Sequence, residues 1–205
     1  MASTKISDFL STVGQGVKPN MFVVDILWPA TDGATGDDKT LIDLLCKSAA
    51  LPNSSVGTIE VPFRGRTVKI AGDRTFDTWT ATFFNDKEFK ARSYFEKWME
   101  NINTHNGNDA PLFKTNQSEG YMAEVRVKQL EKNDQLNGGI LREYKLMHAF
   151  PSSVSAIDLA YDSNDQIEEF SVEFQYSYWT VDTPQTTSLT GAAASGIADV
   201  RPIIK

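Results

Sequence analysis

Residues 68–86 read V-K-I-A-G-D-R-T-F-D-T-W-T-A-T-F-F-N-D, and the fold turns on how they are parsed. Thr67–Ala71 is short and β-branched, as strands are. Gly72-Asp73 reads as a turn, because glycine takes positive φ without steric cost. From Thr75 to Phe84 the pattern alternates: Trp79, Ala81 and Phe83 on one face, Thr78, Thr80 and Thr82 on the other. That period of two, with threonines on the wet side, is the mark of a half-buried strand. Asn85 and Glu88 then have the spacing of a capping box, which predicts a helix start.

On the N-terminal side, Val56–Phe63 and Arg66–Ala71 pair as a hairpin turning at Arg64-Gly65. Thr40–Ser48 reads as a strand burying Ile42, Leu44 and Cys46, with a helix over Leu41–Ala50 as its competitor. Residues 29–39 are turn formers and predict an exposed loop. Met21–Trp28 is a strand with Phe22, Val24, Ile26 and Trp28 together, stopped by Pro29. Residues 3–13 pattern as a short helix with Ile6, Phe9, Leu10 and Val13 on one stripe. So short a helix must dock on something.

On the C-terminal side, a helix from Asp86 to Asn103 gathers Ala91, Tyr94, Phe95, Trp98, Met99 and Ile102. Residues 103–119 read as a loop. Gly120–Leu130 points Tyr121, Ala123, Val125 and Val127 inward. After a turn at Asn133–Gly139, its partner Ile140–Phe150 places Tyr144, Leu146 and His148 together. Val154–Tyr161 and Ile167–Thr180 form a last hairpin joined at Asp162–Asp165, with Phe170, Val172, Phe174, Tyr176 and Tyr178 on one face. The pattern predicts a mainly β fold: an antiparallel β-sandwich or open barrel with one flanking α-helix, in a single domain over 1–182. Residues 183–205 have no core pattern and are expected to be a C-terminal extension, flexible until assembled.

The chain has 205 residues, 40% of them hydrophobic and 11% aromatic, enough for a real core. No run approaches the 18 apolar residues of a membrane span, and the N-terminus lacks a secretory apolar core, so the protein is expected to be made and used in a cytosol, or to leave the cell by a route that needs no signal. One cysteine, Cys46, excludes an internal disulfide. Net charge is −7, and Ser153–Asp182 carries seven acids and no lysine or arginine, which accounts for the whole excess. Tight binding to a phosphate backbone needs clustered bases, so it is not expected.

Chemistry is hard to find. There is no nucleophile elbow, phosphate loop, dinucleotide fingerprint or zinc-protease helix. His105 and His148 stand in unrelated contexts, one in a polar loop and one on a strand, against a shared metal site. Glu168 and Glu169 are adjacent strand residues and point to opposite faces. Cys46 reads as a small core residue. The acidic last third fits a solubility surface. No calcium-loop spacing supports a cation site, and no cofactor is expected.

Several peptides carry a resemblance. Ala71-Gly-Asp-Arg-Thr-Phe-Asp-Thr-Trp-Thr80, followed by Asn85-Asp86, resembles the tail tube proteins of contractile-tailed bacteriophages. So, in order, do Lys18-Pro-Asn-Met-Phe-Val-Val, Ala49-Ala-Leu-Pro, Tyr161-Asp-Ser-Asn-Asp-Gln-Ile-Glu-Glu-Phe and Tyr178-Trp179. The matches span about residues 15–180; Thr31–Lys39 and everything after Thr180 lie outside them.

The resemblance implies a structural virion protein, not an enzyme. Members form hexameric rings that stack into an inner tube through which DNA passes. A contractile sheath surrounds it, a tape-measure protein fills it during assembly, and a baseplate tube initiator and a tail terminator bound it. Assembly is in the host cytoplasm. A baseplate-proximal initiator, or the tube of a phage-derived injection system, is the nearest alternative; an adhesin-like β-sandwich is one from another class. Subunit or ring contacts are expected at Arg64, Asp73, Arg74, Asp37, Asp38 and Ile203. An acidic wall repels DNA by like charge, and Asp158, Glu169 and Glu173 are expected to face the lumen.

Overall fold

The computed structural model describes residues 6–14, 16–29, 40, 42–107, 120–131 and 139–182. Within them lie α1 (Ile6–Val13), β1 (Phe22–Leu27), β2 (Cys46–Ala49), β3 (Ser55–Phe63), β4 (Arg66–Thr75), β5 (Trp79–Phe84), α2 (Lys90–Ile102), β6 (Ala123–Leu130), β7 (Ile140–Val154), β8 (Glu169–Gln175) and β9 (Tyr178–Asp182). The mainly β, antiparallel reading with one flanking helix is borne out. All strand pairings are antiparallel.

Two sheets share one long strand. The first has β1, β6, β7 and β9; the second has β7, β8, β5 and β2. β7 pairs with β9 over Glu143–Met147 and with β8 over Phe150–Val154. Between them His148 takes φ 57, and Met147-His148 stand opposite Glu124 alone, a bulge that bends the strand. The partner bends at the same level: Ser177 separates β8 from β9, its N–H donating to the Met147 carbonyl at 3.0 Å.

This corner changes which residues face in. Before it, Phe170, Val172 and Phe174 are buried; after it, Trp179 and Val181 turn inward while Tyr178 is exposed. On β7, Leu146 is buried, then Ala149, and His148 lies outside. The predicted inward pairing of His148 with Leu146, and of Tyr178 with Phe174, is therefore wrong. The sequence alternates straight through a point where the backbone flips parity.

α2 joins the two sheets through aromatic contacts. Phe95 is fully buried and meets Trp28, at the end of β1, at 5.0 Å between ring centroids. From the other sheet it meets Phe83 at 5.1 Å, Phe170 at 6.0 Å and Phe174 at 6.1 Å. Trp98 touches Trp28 and Phe174 and donates its indole N–H to the Tyr121 carbonyl at 2.7 Å. The predicted inward faces of β1, β5, β6 and α2 are in this core except for Tyr121 and Met99, which are half-buried outside it.

Five local expectations fail for physical reasons. Gly72-Asp73 is no turn: β4 runs through it, with Gly72 and Asp73 bulged opposite Gly57. Asn85–Glu88 does not cap a helix. α2 starts at Lys90 behind a left-handed Phe89, and the carboxylate of Asp86 accepts from the Ala91 N–H at 3.1 Å. Residues 42–44 are helical, as the competing reading had it, and the strand reading holds only from Cys46, so Ile42 is buried while Leu44, two positions on, is exposed. Val154–Tyr161 is not a strand; β7 ends at Val154 and residues 155–168 form a loop. Helix α1 forms, but its stripe docks on none of the described residues, with Ile6, Phe9, Leu10 and Val13 all exposed among them.

Candidate functional site

β3 and β4 form a two-stranded sheet of their own. The hairpin turns at Arg64 (φ 46) and Gly65 (φ 79), as the sequence predicts, and both positive φ values match the twist of a tight hairpin. Cross-strand partners share a face, so the register sorts its side chains. Ile59, Val61, Phe63, Val68 and Ile70 lie on one face; Thr58, Glu60, Pro62, Thr67, Lys69 and Ala71 lie on the other, with Lys69 paired to Glu60 at 3.4 Å. The five apolar residues are 42–61% exposed. This amphipathic ribbon has the alternation of a core strand, and none of the described residues forms a core against it.

Its base is fixed to the body. The chain entering β3 is held by Trp79, whose indole N–H donates to the Ala50 carbonyl at 2.6 Å. Trp179 and Tyr176 both donate to the Asn53 carbonyl, at 3.0 and 3.3 Å. Where the chain leaves β4, Phe76 packs on Tyr176, and the Ser55 and Thr75 hydroxyls pair at 2.8 Å. Isolated two-stranded ribbons are marginal in water, so this footing is what aims the ribbon outward.

Among the predicted contact residues, Arg64 is at the ribbon tip, its guanidinium 5.4 Å from the Phe63 ring. Asp73 and Arg74 are exposed near the base, on the bulged side. Asp37, Asp38 and Ile203 lie outside the described residues, as does the expected extension over 183–205.

The acids predicted to line a lumen fall into two settings. Glu169 and Glu173 lie on the exposed side of β8, beside Thr80, Thr82 and Ser171. Glu169 is not a free charge, because Lys47 binds both its oxygens at 2.5 and 2.6 Å. Asp158 lines an open cleft of about 1000 Å³ under the 155–168 loop, with Phe84, Ile157, Leu159, Tyr161 and Ile167, and Glu169 lines it too. The exposed side of the first sheet carries a mixed-charge lattice: Lys128 with Asp25 at 3.0 Å, Arg126 with Glu124 at 2.6 Å, and Lys145 with Asp182. The hydrogen bond to Glu124 raises the Arg126 pKa further above its already high value.

No convergent chemistry appears among the described residues. Burial pushes the Cys46 thiol up to about 12, which leaves it protonated and inert. His105 pairs with Glu100 and His148 packs edge-on against Tyr178. No three metal-ligating side chains come together among the described residues. Asp43 has a pKa raised to about 7, chiefly by burial, with Asp25 adding to it, while the Ile26 N–H it accepts at 3.3 Å and Lys128 oppose it. It lines no part of the cleft.

A filled aromatic core, with an anchored apolar ribbon and an exposed amphipathic helix outside it, defines a mainly β subunit. The family model described as "Phage tail tube protein" matches residues 17–182, and the chain belongs to that family. Relatives agree. "Tail tube protein gp19" of Enterobacteria phage T4 is 32% identical over 166 residues, covering 81% of this chain and 92% of that protein. The "Tail tube protein" of Serratia phage KSP90 is 27% identical over 164 residues, covering 80% and 88%. Among solved structures, a chain of the anti-feeding prophage baseplate aligns with TM-score 0.58 at 11% identity, over 81% of this chain and 95% of that one. A chain of the sheath-tube complex of an extracellular contractile injection system aligns with TM-score 0.52 at 18% identity, over 88% and 99%. These likenesses extend the shared fold well beyond recognisable sequence similarity.

The ribbon's role is not legible from alternation alone. Ile59-x-Val61-x-Phe63 reads as an inward strand face. What marks it is that Val56–Ala71 has polar or charged residues on one side and no third strand predicted to pair with it.

Proposed function

We propose that the chain is the repeating subunit of the inner tube of a contractile phage tail. Hexameric rings of it stack into a hollow conduit for DNA, inside a sheath and around a tape-measure protein, between a baseplate initiator and a terminator. Family membership carries this reading. The exposed ribbon supports it, since an apolar face of this kind has reason to exist only against a partner. Heterologous contacts that close by rotation give rings, and their repetition along an axis gives a stack. Arg64, Asp73 and Arg74 on the ribbon would contact neighbouring subunits, as would Asp37, Asp38 and Ile203.

For the channel wall, the face of β8 and β5 is the best candidate. It is lined by Thr80, Thr82, Ser171 and Glu173, with Glu169 neutralised by Lys47. Such a wall offers hydroxyls and a small negative excess, with no cluster of bases to hold phosphates. Asp158 would add to it from the cleft loop.

Negative-stain microscopy of the purified full chain tests the reading. Rings or rods with sixfold end views are expected. A monodisperse monomer at every concentration and salt tried would refute it. In a reconstruction of the assembled tube, Asp158, Glu169 and Glu173 facing the sheath would remove them from the lumen.

A further inference from the structure

We infer that the tip of the β3–β4 ribbon seats in the cleft under the 155–168 loop of a second copy of this chain. The inference rests on the tube reading above and adds the pair of surfaces that joins one copy to the next.

The two surfaces lie at opposite ends of one sheet. The ribbon's base stands where β5 begins and β8 ends: Trp79 donates to the Ala50 carbonyl, and Tyr176 to the Asn53 carbonyl. The cleft lies at the other end of the same two strands, where Phe84 closes β5 and Glu169 opens β8. From Trp79 to Phe84 is about 17 Å along the strand. The nine residues of β3 carry the tip about 26 Å from its base. A projection at one end and a hollow at the other make a heterologous contact. Each copy offers both halves, so the contact repeats from copy to copy.

Register decides what the tip carries. Phe63 pairs with Arg66 across the hairpin, so the two share a face, and Val61 and Val68 follow behind them on it. Arg64 sits at the turn with its guanidinium 5.4 Å from the Phe63 ring. The ribbon's acids are elsewhere: Glu60 is on the opposite face against Lys69, and Asp73 is at the bulge near the base. The tip is thus an aromatic ring with two guanidiniums beside it.

The cleft is the counterpart. At about 1000 Å³ it is as large as a pocket that encloses a small-molecule ligand. Phe84, Ile157, Leu159, Tyr161 and Ile167 give it apolar walls. Asp158, Asp165, Glu168 and Glu169 also line it, and among the described residues no lysine or arginine does. Of the bases near this end, Lys47 binds Glu169, Lys90 pairs with Glu88, and Arg92 holds Glu96 and the Ser155 carbonyl. Lys87 is exposed and outside the lining. Asp158 and Glu169 are left to the channel wall, and the arginines take Asp165 and Glu168. Glu168 accepts the Asn85 amide through Oε2 at 2.8 Å, and a carboxylate has further lone pairs for a guanidinium. Apolar walls suit the Phe63 ring, and the acids fix which way the tip enters.

The test uses the full chain. Arg64→Glu/Arg66→Glu and, separately, Asp165→Lys/Glu168→Lys should each raise the concentration needed for assembly about tenfold or more. Mixed in equal amounts, the two should assemble near the parent's concentration, because each tip then meets a cleft of opposite sign. Either variant assembling alone at the parent's concentration would overturn the inference, and so would a mixture no better than its parts. A cross-link decides independently of how charge reversal affects folding. In a Cys46→Ser background, Phe63→Cys protein is mixed with Ser163→Cys protein, assembled and oxidised. A disulfide-linked dimer is expected in the mixture and in neither variant alone. Assembled protein without that cross-link, or with Phe63→Cys linked instead to Phe9→Cys, would also overturn it. In all these failures the unsubstituted chain still forms rings or rods. Its own failure to form rings removes the tube reading instead, and the inference with it.

Discussion

Replacing Phe95 by alanine should damage the free subunit far more than any change on the ribbon. Phe95 is fully buried and its ring lies within 5.0–6.1 Å of Trp28, Phe83, Phe170 and Phe174. Those four rings come from both sheets, so no single neighbour can move to fill the gap without separating from its own strand. A buried Phe→Ala change costs about 3–5 kcal/mol, and poor collapse of the site places this one near the upper end. With a urea slope of about 2 kcal/mol per M, the unfolding midpoint should fall by about 2 M. Urea unfolding of unassembled subunits, followed by tryptophan fluorescence, reads this directly, since Trp28 and Trp98 line the lesion. Val68→Ala on the ribbon, at a half-exposed position, is the control and should change stability by no more than about 0.5 kcal/mol. A loss under about 1 kcal/mol from Phe95→Ala would refute the idea that α2 joins the sheets. An equal loss from Val68→Ala would show that the ribbon is packed in the free subunit.

Two further outcomes follow from local geometry. Asp43 has its folded pKa raised from 3.8 to about 7, so the folded subunit binds that proton more tightly than the unfolded chain. Stability from this group is present below pH 4, declines as pH rises to about 7 and is flat above. Asp43→Asn, which keeps an acceptor for the Ile26 N–H, should remove the decline and gain about 1–2 kcal/mol above pH 7, a figure discounted because the carboxyl is only half buried; parallel stability curves for parent and variant from pH 4 to 8 would contradict it. Gly72→Val puts a Cβ 3.2 Å from the Gly57 backbone carbon and oxygen, so the Gly57 backbone must give by a few tenths of an ångström, which loosens the pairing at the bulge. Faster amide exchange confined to residues 56–74, with the urea midpoint unchanged, is expected, and exchange like the parent's would contradict it.

Where burial follows strand or helix periodicity, the sequence was readable. β1, β5 and β6 alternate cleanly, and Ala91, Phe95 and Trp98 recur at helical spacing, so the core could be named before any coordinates. It failed where one residue pattern serves two geometries. Gly-Asp suits a bulge as well as a turn, and only its register with Gly57 decides. Asn85 has the spacing of a cap, yet its amide is used by Glu168, a residue 83 positions away. Tyr176 and Tyr178 continue an alternation that the Ser177 corner breaks, because the signal for the bend lies partly in β7 at His148. The ribbon was only half legible. Ile59, Val61 and Phe63 are chemically indistinguishable from core residues, and what separates them from a core face is that none of the described residues covers them, which is a property of the fold.

The shared corner of β7 has a mechanical consequence. Two stacked sheets held only by side chains can slide over one another, since dispersion contacts resist shear weakly. Here the peptide chain passes from one sheet to the other at His148 and, in the opposite direction, at Ser177. A tangential force on one sheet is therefore transmitted to the other as tension along covalent backbone. The two sheets should deform as one stiff block, yielding first at the ribbon.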